Sequence, residues 1–158
     1  MKILVVDDDK EIVELLSIYL KNEGYEPVAA YSGKEAITKL TTTPDIVLMI
    51  LDVMMPNMSG IDVIKEVRKD SDIPIIIVSA KTGDMDKIQG LITGADDYVS
   101  KPFNPLEVMA RVRSLLRRSQ KQVKNEKPDI LEVGPLVINR DSHEVKTIDG
   151  KTIQLTAL

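Results

Sequence analysis

The chain has no cysteine and a single histidine, His143, among its 158 residues. Without thiols there is no disulfide framework, no thiolate metal site and no cysteine nucleophile, and one imidazole cannot build a multi-histidine metal centre. Tryptophan is also absent, which leaves no indole to stack on a flavin. No run approaches the ~20 consecutive apolar residues of a membrane-spanning helix, so a transmembrane role is excluded and no membrane partner is expected. The opening MKILVVDDDKE is too short in its apolar run and too acidic for a secretory signal, which predicts a cytoplasmic protein. Twenty-one basic against 25 acidic side chains leave a net charge of −4, so the chain as a whole is no polyanion binder and charge has to be read segment by segment. What is present is the balance of a globular protein, 43% hydrophobic and 29% charged, with room for one domain and a small extra piece.

Residues 1–118 alternate short apolar runs with longer amphipathic stretches, and this alternation predicts an α/β fold, a doubly wound parallel sheet with helices on both faces. Ile3 to Val6 reads as β1, and Glu11 to Lys21 as α1, ended by Gly24. Pro27 to Ala30 is β2; Ser32 then precedes Glu35 in a capping-box pattern that opens α2 through Leu40. Ile46 to Leu51 is continuously apolar, as a central strand buried on both faces should be, and forms β3. After a turn at Met58-Ser59-Gly60 come α3 (Ile61 to Lys69), β4 (Ile75 to Val78), α4 (Asp84 to Thr93), β5 (Tyr98 to Ser100) and α5, capped at Asn104-Pro105 and running to Arg118. Residues 119–129, SQKQVKNEKPD, are polar with a late proline and predict a linker. Residues 130–158 show short alternating runs broken by turn residues, a small antiparallel meander with too little core to stand as an independent domain.

In an open parallel sheet functional groups collect beyond the carboxyl ends of the strands. There the chain places Asp7, Asp8 and Asp9 after β1, Asp52 after β3, Ser79 after β4 and Lys101 after β5. Clustered carboxylates repel unless a cation neutralises them, and an all-oxygen donor set suits a hard ion such as Mg²⁺. A carboxylate beside such an ion can attack phosphorus, while a hydroxyl and an ammonium hold the phosphoryl oxygens. Each residue alone has an ordinary explanation, since acids after a strand often cap the next helix. Four strand ends carrying complementary groups make the signal specific.

The segments VVDDD, LDVMMPNMSG, PIIIVSA and GADDYVSKPFNPLEVMARVRSLLRR together resemble the receiver domain of bacterial two-component response regulators, over residues 1 to about 118. GADDYVSKPF and the basic helix behind it are similar to the winged-helix transcription-factor (OmpR/PhoB-like) subfamily. LEVGPLVINRDSHEV and IQLTAL resemble the β-platform that opens its DNA-binding domain. The resemblance implies a flavodoxin-like sheet in the order 2-1-3-4-5. It also implies that Asp52 accepts a phosphoryl group from a sensor histidine kinase, with Mg²⁺ held by Asp8, Asp52 and the Met54 carbonyl, and by Asp7 through water. Lys101 would pair with the phosphoryl oxygens, Ser79 would swing to bond them, and Tyr98 would turn inward behind it, switching a face made of α4, β5 and α5. Such a protein is a phosphoacceptor that catalyses its own phosphorylation and dephosphorylation, and is not otherwise an enzyme.

Glu107, Arg111 and Arg118 lie four and seven residues apart on one stripe of α5. With Lys87 on α4 and Asp96 and Asp97 before β5, this mixed-sign stripe could meet itself across a two-fold axis. The subfamily's active dimers imply the intersubunit pairs Lys87 with Glu107, Asp97 with Arg111 and Asp96 with Arg118. Two features depart from the family pattern. The apolar run between Asp45 and Asp52 is longer than usual, which bears on where β3 begins, and the recognition helix of a winged-helix domain does not follow within the chain. DNA binding is therefore expected only through that missing portion. Two other readings compete: a stand-alone receiver acting by protein contact, and a phosphatase of the haloacid dehalogenase type using the Asp7-x-Asp9 pair. The phosphatase pattern wants Thr or Val where Glu11 stands.

Overall fold

The computed structural model describes residues 1–80, 93–126, 136–139, 144–147 and 152–153, with side chains through Ser119. Five parallel strands, β1 (Lys2–Val6), β2 (Glu26–Ala30), β3 (Ile46–Leu51), β4 (Ile75–Ser79) and β5 (Asp97–Ser100), pair in the order β2-β1-β3-β4-β5, as expected. Successive strand residues point to opposite faces, so apolar runs without alternation must feed two cores. Ile3, Val5, Leu48, Ile50, Ile76 and Val78 pack on one face with Val13, Leu16 and Leu20 of α1 (Lys10–Asn22) and Val108, Met109 and Val112 of α5 (Pro105–Glu126). Leu4, Val6, Met49, Leu51, Ile75 and Ile77 pack on the other with Ala36 of α2 (Gly33–Thr42) and Val63, Ile64 and Val67 of α3 (Gly60–Val67). At ~1.5–3 kcal/mol per fully buried aliphatic side chain, these two cores are the main stabilising contribution.

The long apolar run of β3 is accommodated by a bulge. Lys2 lies opposite Ile46 but Ile3 lies opposite Leu48, so Val47 has no partner in β1. Val47 and Leu48 consequently face the same core, and four fully enclosed residues, Leu48 to Leu51, lead into Asp52. The strand does begin at Ile46.

Helix starts follow local chemistry. Asp9 accepts from the Glu11 N–H at 2.9 Å and caps α1, Ser32 Oγ accepts from the Glu35 N–H at 3.1 Å, and Asn104 Oδ1 accepts from the Leu106 N–H at 2.9 Å. The predicted box at α2 is altered: Glu35 reaches back to the Tyr31 N–H at 2.8 Å and not to that of Ser32. The reciprocal box forms at α3, between Ser59 and Asp62. Helix α5 continues past the predicted end at Arg118 to Glu126, because Ser119 to Glu126 contains neither glycine nor proline and the first breaker is Pro128. The expected α4 (Asp84 to Thr93), Lys87 included, lies outside the described residues except for its last residue, Thr93, which is helical; His143 and residues 127–135 also lie outside them.

The chain divides into two compact units, Met1–Leu116 and Arg117–Leu158. In the second, β6 (Leu136–Asn139), β7 (Glu144–Thr147) and β8 (Thr152–Ile153) form the antiparallel meander that the turn pattern predicts. Among the described residues no helix is long and apolar enough to cross a membrane.

Candidate functional site

Backbone ladders continue one residue beyond the carboxyl edge of the sheet and carry the polar groups with them. The Asp7 N–H donates to Ala30 O at 3.1 Å, the Asp52 N–H to Val6 O at 2.9 Å and the Lys101 N–H to Ser79 O at 2.8 Å. Asp7 and Asp52 therefore leave adjacent strands side by side, each at most 4% exposed. Lys101, which precedes a cis peptide bond to Pro102, extends its ammonium across the edge to Asp7 Oδ2 at 2.9 Å and Asp52 Oδ2 at 3.7 Å. Asp8 is exposed, yet carboxylate oxygens of Asp7, Asp8 and Asp52 all lie within 4.8 Å of one another. The Met54 N–H donates to Asp52 Oδ1 at 3.2 Å, while its side chain is exposed.

Three carboxylates around one ammonium leave the cluster negative. Burial, and next the charge of Asp7, push the Asp52 carboxyl above its ordinary 3.8, against the opposing pull of Lys101 and the Met54 N–H. Burial by itself would lower the Lys101 ammonium, but the hydrogen bond to Asp7 and the charges of Asp52 and Asp7 outweigh it and hold it above 10.5. A hard divalent cation fits this site: the donors are all oxygens, one is open to solvent, and the buried Asp52 is short of positive charge. Asp9 is exposed, its side chain caps α1 and its N–H donates to Asp7 Oδ1 at 2.9 Å.

Ser79 closes β4 with its side chain fully enclosed, opposite Ser100 of β5. Tyr98 is also buried, pointing into the core shared with α3. Four charged residues of the expected interaction face, Asp96, Asp97, Glu107 and Arg111, pair within the chain. Arg111 Nη1 bonds both oxygens of Asp97 at 2.7 and 2.8 Å and its Nη2 bonds Glu107 at 2.9 Å. Asp96 meets Arg68 at 3.1 Å, and Arg118 is exposed. Two contributors carried no periodic signal. A Cβ at Gly60 would lie 2.5 Å from Asp52 O and 2.6 Å from Val53 Cα, so the start of α3 rests directly on the Asp52–Val53 backbone. The Ser-Gly pair ahead of an apolar helix was the available hint. Arg68, at the far end of that helix, had none.

Residues 3–113 match the profile of the response regulator receiver domain. Over 158 residues the chain is 44% identical to the DNA-binding response regulator MtrA of Mycolicibacterium smegmatis, covering 99% of this chain and 66% of that protein. Over 159 residues it is 42% identical to the transcriptional regulatory protein CpxR of Escherichia coli K12, covering 98% and 67%. It thus spans about two thirds of the length of these relatives. Among solved structures it resembles the Francisella response regulator 1452 receiver domain, with a TM-score of 0.71 and 38% identity over 75% of this chain and 98% of that one. The BeF3-activated receiver domain of Klebsiella pneumoniae RstA superposes similarly, with a TM-score of 0.70 and 31% identity over 74% and 99%. A parallel 2-1-3-4-5 sheet, carboxylates and a lysine gathered at its carboxyl edge, and a profile match across most of the first unit agree: the chain belongs to the response regulator receiver family of two-component signalling.

Proposed function

We propose that this chain takes a phosphoryl group on Asp52 from a phosphohistidine of a sensor histidine kinase and uses it to control association and transcription. The observation that carries the reading is Asp52 itself, a carboxylate buried at a strand end with Lys101 Nζ 3.7 Å away and a second buried carboxylate beside it. An Asp52 oxygen attacks phosphorus as the P–N bond breaks, and the imidazole leaves with the electron pair. Mg²⁺ bound by Asp8, Asp52 and the Met54 carbonyl, with Asp7 through water, would offset the charge gathered on the carboxylates and phosphoryl oxygens. Asp7 anchors Lys101 by its 2.9 Å bond, so the ammonium is already aimed at the acceptor and pairs with a phosphoryl oxygen. The Ser79 hydroxyl then donates to a second phosphoryl oxygen, and Tyr98 follows it into the space behind. Water later attacks the same phosphorus and restores the carboxylate, which makes the group a timed signal.

In this reading residues 1–118 are the receiver, 119–129 join it to the next element, although helix α5 occupies part of that stretch, and 130–158 open a DNA-binding output unit. Charged residues Lys87, Asp96, Asp97, Glu107, Arg111 and Arg118 form the face on which activated chains dimerise in the cytoplasm. Incubation with acetyl phosphate and Mg²⁺ followed by intact-mass measurement tests the chemistry. One phosphoryl group should be gained, and none by Asp52→Asn or a chelated sample. A gain that survives Asp52→Asn would overturn the assignment. Size exclusion of the same samples reads the dimer.

A further inference from the structure

Arg68 caps the carboxyl end of α3 beneath the amino ends of β4 and β5. Its Nε and Nη2 both donate to Gly94 O, at 3.1 and 2.7 Å, and its Nη1 donates to Ser71 O at 3.1 Å and Ile73 O at 2.8 Å. The second Nη2 hydrogen goes to Asp96 Oδ2 at 3.1 Å, so all five N–H groups of the fork are engaged. Gly94, at φ +135°, lets the loop close on the arginine, since a Cβ there would sit 3.1 Å from Arg68 Cγ and Nε.

The two aspartates beside this fork differ in what they still offer. Asp97 has both oxygens on Arg111, and its Oδ1 also accepts from the Tyr98 N–H at 2.8 Å. Asp96 receives both of its bonds, from Arg68 and from the Ile75 N–H at 2.8 Å, on Oδ2. Among the described residues its Oδ1 has no donor, and the side chain is 41% exposed. A carboxylate locked through one oxygen and open at the other has already lost the rotamer freedom that an intermolecular ion pair would otherwise remove.

We propose that Arg68 is a positioning residue for self-association: it holds Asp96 by Oδ2 and so presents Oδ1 to the exposed Arg118 of a second copy of this chain. The inference rests on the dimer reading above and extends it to a residue outside the interaction face. Arg68 touches neither Asp52 nor the phosphoryl group, so phosphorylation itself stays intact when it is changed.

The test measures the dimer dissociation constant of the phosphorylated full chain by sedimentation equilibrium, with occupancy fixed by intact mass. Asp96→Asn, Arg118→Gln and Arg68→Lys, which keeps the charge but loses the fork, should each weaken dimerisation roughly fivefold at equal occupancy. Arg68→Lys combined with Asp96→Asn should be no weaker than either alone, because both remove the same contact. A merely structural role for Arg68 would instead add its effect on the dimer constant to that of Asp96→Asn. Additive effects, or wild-type dimer strength in Arg68→Lys and Arg68→Gln, would overturn the proposal. Should Arg68→Gln not fold, Arg68→Lys and Asp96→Asn complete the cycle. A phosphorylated wild-type chain that stays monomeric defeats the dimer reading itself, an outcome distinct from failure of the Arg68 cycle.

Discussion

At the carboxyl edge of the sheet two buried carboxylates, Asp7 and Asp52, share the ammonium of Lys101, whereas at the amino edge one guanidinium, Arg68, has its five N–H groups matched to four acceptors. Both edges are built from loops joined to the same strands, so the contrast lies in charge satisfaction and not in architecture. The amino edge is closed around the guanidinium: each of its five N–H groups meets an acceptor, which holds the loops before β4 and β5 in place. At the carboxyl edge burial, and next the charge of Asp7, raise the Asp52 carboxyl, and the cluster keeps a demand that a hard cation can meet. One edge stabilises the fold and the other stores the imbalance that chemistry uses.

The comparison predicts that breaking the closed edge costs more stability than altering the open one. Arg68→Met should have the largest effect, a loss of about 3 kcal/mol in urea unfolding, because the half-buried carbonyls of Ser71, Ile73 and Gly94 and the Asp96 carboxylate lose charged donors at once. Gly60→Ala, which forces a Cβ against the Asp52 carbonyl, should cost about 2 kcal/mol and, on the proposed reading, slow phosphoryl uptake from acetyl phosphate, since the loop after Asp52 must shift. Asp52→Asn should act in the opposite direction, raising stability by about 1 kcal/mol at neutral pH by removing a buried, repelled charge. An Asp52→Asn chain less stable than wild type would show that the open edge is satisfied after all.

The pH dependence sharpens the same point. Because the folded-state value of Asp52 lies above 3.8, the native state keeps this proton where the unfolded chain has lost it. Stability from this group is therefore lost as pH rises from about 3.8 through the raised value, and Asp52→Asn should flatten that acid-side slope. Lys101 behaves conversely at the other end. Its contribution is fully present below 10.5 and is lost as pH rises through its raised folded value. Denaturation midpoints collected across both windows should show the two slopes, and Mg²⁺ should diminish the acidic one.

Much of the fold was legible because the information is local. Ile46 to Leu51 could only be a strand buried on both faces, and Ser32, Asn104-Pro105 and Gly24 mark helix ends through their own backbone chemistry. Asp7, Asp8, Asp52 and Lys101 could be assembled in advance because parallel topology carries every strand end to one edge. The bulge at Val47 was not legible, since register depends on the neighbouring strand and not on the run itself. Nor was the reach of α5 to Glu126: its polar residues read as linker by composition, although their helix propensity is adequate.

By itself the sequence determined the alternation of strands and helices, the two cores and which polar groups stand at the strand ends, because hydrophobic period and strand-end position are properties of short segments. Tertiary structure alone decided how charge is shared among those groups. Lys101 meets Asp7 at a sequence separation of 94 and Arg68 meets Gly94 at one of 26, distances over which no periodicity extends. Which oxygen of Asp96 is held and which is left open depends on atoms brought together from α3, the start of β4 and the loop before β5, and that assignment exists only once the sheet has closed.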